Sequence, residues 1–147
     1  AYRLTERIAQ ELERIQPDVI VTWGPDGGIG HPDHRMISAI VTQLQRAGAP
    51  GVPERVFYMY LPAEAIRVVN PQRGAPPLLV PDSRYVTVHV GFQPEDLQSS
   101  LQSMACHKSQ VTPEMVQRVG AGTARVWNGA IPFVPAFPTA PIRDLFR

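Results

Sequence analysis

Several things are scarce in this sequence, and each scarcity excludes something. A single cysteine, Cys106, leaves no partner for an internal disulfide, so burial and hydrogen bonding must hold the fold, and a reducing cytoplasmic setting is expected. Charged residues make up only 18% of the chain and the net charge is +1. With no run of Lys or Arg, a nucleic-acid partner gripped through its phosphates is not expected. No apolar run approaches the ~20 residues of a membrane helix, and no basic, apolar and small-residue leader opens the chain. It opens instead inside a helical pattern without an initiator methionine, from which a preceding segment is expected. No Gly-x-Ser-x-Gly elbow occurs, which removes the nucleophile of a serine hydrolase.

What is present is punctuation and periodicity. Leu4, Ile8, Leu12 and Ile15 recur at helical spacing, with Arg3, Glu6, Arg7, Glu11, Glu13 and Arg14 on the other faces. Pro17 ends that helix, and Val19-Ile20-Val21-Thr22 reads as a short buried strand. After a glycine loop, Pro32 suits a first helical turn, and Met36, Ile37, Ile40, Val41 and Leu44 mark one face of a helix ending near Gly48. Residues 55–60 read as a second strand, so residues 18–60 form a βαβ unit. Residues 70–83 are proline-rich and are expected to be a loop. Tyr85–Val90 alternates like a strand, and Pro94-Glu95-Asp96 opens a helix carrying Leu97, Leu101 and Met104 towards His107. The fold class expected is α/β, a Rossmann-like layered fold with a mostly parallel sheet, present as a partial domain over residues 1–128. Residues 129–147 stand apart: Pro132, Pro135, Pro138 and Pro141 recur every three residues, the period of polyproline II. They are expected to form an extended arm, first of all lying on its own domain, otherwise packing on a neighbouring subunit or, third, entering another protein's aromatic groove.

The chemistry concentrates in Gly27-Gly28-Ile29-Gly30-His31-Pro32-Asp33-His34. A strand-to-helix turn is where open α/β folds place their reactive groups. His31 and His34 stand three residues apart and project to a common side once the helix begins. Asp33 sits in the first turn, where its charge suits the helix dipole and could hold a neighbouring imidazole and favour its protonated form. Gly28 and Gly30 allow positive φ and let the backbone approach a ligand closely. Taken alone, a His-x-x-His is a weak metal signal, and capping, turn chemistry or ordinary surface residues explain such a pair more often than not.

Thr22 through His34, TWGPDGGIGHPDH, closely resembles the second signature of the PIG-L/LmbE-like deacetylases, zinc-dependent enzymes that remove N-acetyl groups from amino sugars. Cys106-His107-Lys108-Ser109-Gln110 looks like that family's helix ending in His-x-Ser-Gln. The likeness covers about residues 1–112. It implies that His34 is a ligand to Zn2+, that His31 is the general acid or electrostatic stabiliser, and that Asp33 orients and tunes it. It also implies that His107 lies near the substrate cleft, although a helix-terminal histidine capping the last carbonyls is an equal alternative. Cys106 reads as a packing residue and His89 as a structural one.

Two departures from the family pattern matter. Ile29 stands where the family often has an aromatic hydroxyl, and it cannot donate a hydrogen bond to an oxyanion. The His-Pro-Asp-Asp motif that supplies two further zinc ligands and the base does not occur, whereas a catalytic zinc usually needs three protein ligands. The resemblance therefore implies a zinc-dependent N-deacetylase acting on an N-acetylated amino sugar, with only part of the active site carried here. The alternative is a catalytically inactive sugar-binding or subunit-interaction module. Uncovered sheet edge and apolar surface lead to an expected homo-oligomer.

Overall fold

The computed structural model describes residues 2–69 and 80–137. Helix α1 (Tyr2–Ile15) leads into strand β1 (Ile20–Trp23), helix α2 (Pro32–Arg46) and strand β2 (Val56–Met59). A short helix α3 (Ala63–Val69) follows, and later strand β3 (Val88–Gly91), helices α4 (Pro94–Ala105) and α5 (Pro113–Trp127), and strand β4 (Ala130–Pro135). The α/β class holds, and β1–α2–β2 is the expected βαβ unit with its strands parallel from Ile20 opposite Val56 to Trp23 opposite Met59.

The sheet as a whole is mixed rather than mostly parallel. Its order is β1-β2-β4-β3, and β4 runs antiparallel to both neighbours, pairing Tyr58 with Val134 and Val90 with Ile131. The chain reverses at Asn128 and Gly129, which hold φ of 44° and 84°, so β4 turns straight back from α5 into the gap between β2 and β3. An asparagine followed by glycine tolerates that left-handed corner at little cost.

This insertion corrects the reading of the proline repeat. Pro132 and Pro135 belong to β4, a strand with a partner on each side, and the period of three is not a polyproline helix there. Prolines are tolerated in this strand because of where their missing N–H groups fall. The Pro132 carbonyl accepts the Tyr60 N–H, so its nitrogen also faces β2, beyond the last β2 residue Met59. The Ala136 N–H points to the Val56 carbonyl, and amide directions alternate along a strand. Pro135 therefore faces the β3 side, before β3 has begun. Pro138 and Pro141 lie outside the described residues, as does most of the expected 70–83 loop.

A second correction concerns β3. Tyr85 is not in the strand but in a single 3-10 turn, Ser83–Tyr85, set by the Asp82 side chain accepting the Arg84 N–H at 2.9 Å. That local bond competes with strand pairing, and the ladder starts only at Val88. His89 is exposed on β3, opposite Pro132.

Phe57, Val88 and Phe133 form the centre of the core, with Val19, Met59, Val90 and Ile131 packed around them. Burying Phe57 completely contributes on the order of 1.5–3 kcal/mol. Helix α2 lies against β1 and buries Ile40, Val41 and Leu44, the apolar face read from its periodicity. Its end is closed by Gly48 at φ 60°. Helices α4 and α5 pack together closely, since a Cβ on Gly120 would stand 2.7 Å from Leu101 Cδ1. Helix α1 touches α2, and Gly51, at φ 76°, sits against the α1 backbone at Leu12 and Glu13 with no room for a side chain. The α1 apolar stripe is otherwise poorly covered by the described residues: Tyr2, Leu4 and Ile15 are exposed, as is Val21 on the edge strand β1.

Candidate active site

The site lies where β1 delivers the chain into the loop 24–31 and α2 takes it away. The loop curls tightly. The Gly27 N–H donates to the Gly24 carbonyl at 2.9 Å, and the Ile29 N–H donates to that of Gly27 at 2.8 Å. Asp26 stiffens the curl, with its Oδ2 accepting the Gly28 N–H at 2.8 Å, a turn typical of Asp before glycine. Arg35 reaches back from α2 and donates through Nε to the Asp26 carbonyl. Gly27, Gly28 and Gly30 hold φ of 72°, 67° and 80°, a run of left-handed positions that only glycine adopts freely.

His31 caps α2. Its Nδ1 accepts the Asp33 N–H at 3.2 Å, and Pro32 takes the first helical position, where it lacks nothing. A backbone amide can only donate, so in this arrangement Nδ1 of His31 carries a lone pair and the ring hydrogen sits on Nε2. The Asp33 carboxylate stands 3.9 Å from the same Nδ1, with both side chains well exposed.

His34 is arranged the opposite way. Its Nδ1 lies 3.0 Å from the Gly27 carbonyl oxygen. A carbonyl can only accept, so Nδ1 carries the hydrogen and Nε2 is left with its lone pair. Metal-ligating histidines are usually prepared in this way, the far N–H donating to a carbonyl so that the other nitrogen can bind the ion. The indole of Trp23 stacks on the His34 ring with centroids 4.3 Å apart and planes 6° from parallel. The His31 and His34 rings are 4.8 Å apart, tilted by 35°. Two neighbouring imidazoles thus offer complementary nitrogens: a donor N–H on His31 and a free lone pair on His34.

The sequence therefore foresaw His31, Asp33 and His34 as a cluster, and the structure brings them together. Gly30 lies in the same loop. Gly28 does too, but it is buried, and the direction its Cβ would take is filled by the Trp23 ring at 2.7 Å and by Leu61. His107 is exposed in the turn after α4, where its carbonyl accepts the N–H groups of Gln110 and Val111. No described contact joins it to the histidine pair. Cys106 is exposed, its thiol directed to the Gln102 carbonyl, and so is not the packing residue expected. Sequence reasoning missed Trp23, Asp26 and the Gly27 carbonyl. An aromatic at the strand's end and an Asp-Gly pair were the available signals.

The donor set fits part of a metal site. Among the described residues, no group of three or more His, Cys, Asp or Glu side chains could hold a metal ion. His34 has the preparation of one ligand, and further ligands would have to come from outside the described residues.

A model of the family PIG-L: GlcNAc-PI de-N-acetylase matches residues 1–45, which carry α1, β1, the glycine loop and most of α2. A 1D-myo-inositol 2-acetamido-2-deoxy-alpha-D-glucopyranoside deacetylase of Corynebacterium urealyticum is 29% identical over 119 residues, 72% of this chain and 36% of that protein. The protein of the same name from Kineococcus radiotolerans is 30% identical over 147 residues, covering 84% of this chain and 40% of its own length. That of Corynebacterium diphtheriae reaches 59% identity over 29 residues. The chain thus spans 36–40% of the length of the first two relatives. In its glycine loop, its histidine pair and these likenesses, the chain is similar to the PIG-L deacetylases, of whose length it spans a part.

Proposed function

We propose that this chain carries part of the active site of a zinc-dependent N-deacetylase that hydrolyses the acetamide of an N-acetylglucosamine-containing substrate. The observation that carries the reading is the opposite preparation of the two imidazoles, His34 with a free Nε2 and His31 with a donor Nε2–H. The relatives named for deacetylating an acetamido-glucopyranosyl inositol support the substrate class.

His34 would hold the zinc through Nε2, together with ligands from outside the described residues. When bound, the metal would supply a Lewis acid for the acetyl carbonyl and an activated water. His31, at the same mouth, can donate its Nε2–H to charge developing on the acetyl oxygen, and once a proton has reached its Nδ1 the cationic ring can pass the Nε2 proton to the departing amine. Asp33 keeps a carboxylate beside His31 Nδ1, so a proton arriving there meets a negative partner in place of the amide cap. Gly30 lets the sugar lie against backbone rather than a side chain, while the buried Gly28 shapes the loop from within. His107 would contact the substrate only if the cleft extends to the end of α4.

A reducing cytoplasm is the proposed setting, supported by the single unpaired Cys106. Among the described residues no helix is long and apolar enough to cross a membrane. We further propose that the chain self-associates, supported by the exposed apolar side chains on α1 and by β1 being an edge strand among the described residues.

The test is release of free amine from an N-acetylglucosaminyl inositol by the zinc-supplemented full-length protein, with and without chelator. Chelator-sensitive hydrolysis is expected. Saturable sugar binding with no hydrolysis would overturn the enzyme reading and favour a binding module built on the same loop.

A further inference from the structure

The His34 ring needs two restraints to aim Nε2 steadily: one within its plane and one across it. The Gly27 carbonyl supplies the first, fixing which nitrogen carries hydrogen and how far the ring can rotate. A single hydrogen bond leaves the ring free to swing about the Nδ1···O axis. Trp23 supplies the second. Its indole lies flat on the imidazole, 4.3 Å between centroids and 6° between planes, an arrangement that tolerates sliding but resists tilting.

The surrounding sequence accommodates this stack. Trp23 is the last residue of β1, paired in register with Met59, so its backbone is fixed by the sheet rather than by the loop. Gly28 leaves open the space that the indole fills: a Cβ there would stand 2.7 Å from both Trp23 Cε3 and Cζ3. The glycine at this position is thus explained by the packing of the indole as well as by its positive φ. The indole thus stacks on the His34 imidazole while its Cε3 and Cζ3 atoms occupy the room that a side chain on Gly28 would take.

We propose that Trp23 is a positioning residue for His34, locking the ring orientation and the Nδ1–H tautomer that present Nε2 to the cleft. It touches no reacting atom. The proposal rests on the reading of His34 as a metal-facing nitrogen, but the ring's tautomer can be measured with no metal present, so the two can fail separately. Phe retains a flat ring at position 23, whereas Leu retains apolar bulk without one, and that contrast separates stacking from filling.

The experiment is long-range 1H–15N spectroscopy on the histidine-labelled full chain, for wild type, Trp23→Phe, Trp23→Leu and Gly28→Ala, with zinc titrated afterwards by calorimetry. Wild type and Trp23→Phe are expected to give the His34 signature of an Nδ1-protonated ring, and Trp23→Leu an average of both tautomers. Gly28→Ala, which pushes on the indole, is expected to follow Trp23→Leu. Zinc affinity should fall about 10-fold or more in the Leu and Ala variants, the range for losing a ligand's supporting partner, and stay near wild type in Phe. If Trp23→Leu keeps a fixed Nδ1–H tautomer, or if Phe and Leu lose affinity equally, the stacking role is overturned. If the tautomers behave as expected but zinc binds none of the proteins, the positioning role stands and the metal reading of His34 fails.

Discussion

His34 Nδ1 donates to the Gly27 carbonyl at 3.0 Å, across seven residues of chain. The curl of the glycine loop and the aim of the imidazole are therefore one geometry, and a substitution that opens the loop disturbs the ring. The two histidines beside each other are not interchangeable, because each has its other nitrogen committed to a different kind of backbone group.

That difference predicts separate losses in the full-length protein. His34→Ala should lower zinc content and activity together. His31→Ala should keep most of the zinc and lower kcat by on the order of 10²–10³-fold, the scale of losing one oxyanion donor. Metal analysis beside steady-state kinetics decides it, and equal zinc loss in both variants would refute the division of roles.

Gly27→Ala should destabilise the chain by about 1–3 kcal/mol through its left-handed backbone. The added Cβ would stand 2.8 Å from the His31 carbonyl oxygen, which accepts the first helical hydrogen bond, from the Arg35 N–H. Urea unfolding measures the loss. Gly48→Ala is the control, because its φ is also positive at 60° but nothing lies within 4 Å of the new Cβ. The two should differ by the steric part alone.

The elements legible in the sequence were those specified locally. The β1–α2–β2 unit follows from two short apolar runs and one helical stripe, and His31 caps α2 where Pro32 announced its start. Helix α5 went unread although Thr112-Pro113-Glu114 is an N-terminal signal, because Gly120, Gly122 and Thr123 dilute its apolar face. Those small residues serve packing, Gly120 against Leu101, and such contacts are set by the partner helix. Strand β4 was misread because proline spacing is a local cue, whereas its place between β2 and β3 depends on register with strands far along the chain. At the site, the histidines are adjacent in sequence, but the Trp23 stack exists only once the loop has folded back on itself.

The start of α5 carries a pH dependence. Its cap is Thr112, whose hydroxyl oxygen accepts the Met115 N–H. Backbone hydrogen bonding first, and the Thr112 side chain second, hold the Glu114 carboxyl below its ordinary value. A depressed carboxylate stabilises the fold above its unfolded value, and that contribution is lost as pH falls through the lowered one. Thr112→Ala should cost about 1 kcal/mol at neutral pH. Glu114→Gln should be less stable than wild type near neutrality and equal to it in acid, as thermal unfolding across the pH range would reveal. A difference that persists unchanged in acid would point to a loss other than charge.

Self-association should run through the β1 side of the molecule. β4 has a strand on each flank, so residues 131–135 cannot swing out as an arm without dismantling the sheet. Apart from Tyr85, the exposed large apolar side chains lie on three elements: Tyr2, Leu4 and Ile15 on α1, Val21 on β1 and Met36 on α2. Among the described residues β1 is also an edge strand, with β2 its partner on one side, and such an edge beside apolar surface invites pairing between copies. Sedimentation velocity on the full chain should then give concentration-dependent association. Val21→Lys combined with Leu4→Glu, both on exposed side chains, should shift the chain towards monomer without lowering its melting temperature appreciably. A wild-type chain that remains monomeric at every concentration would remove the association argument, and an unchanged oligomer in the double variant would move the interface away from β1.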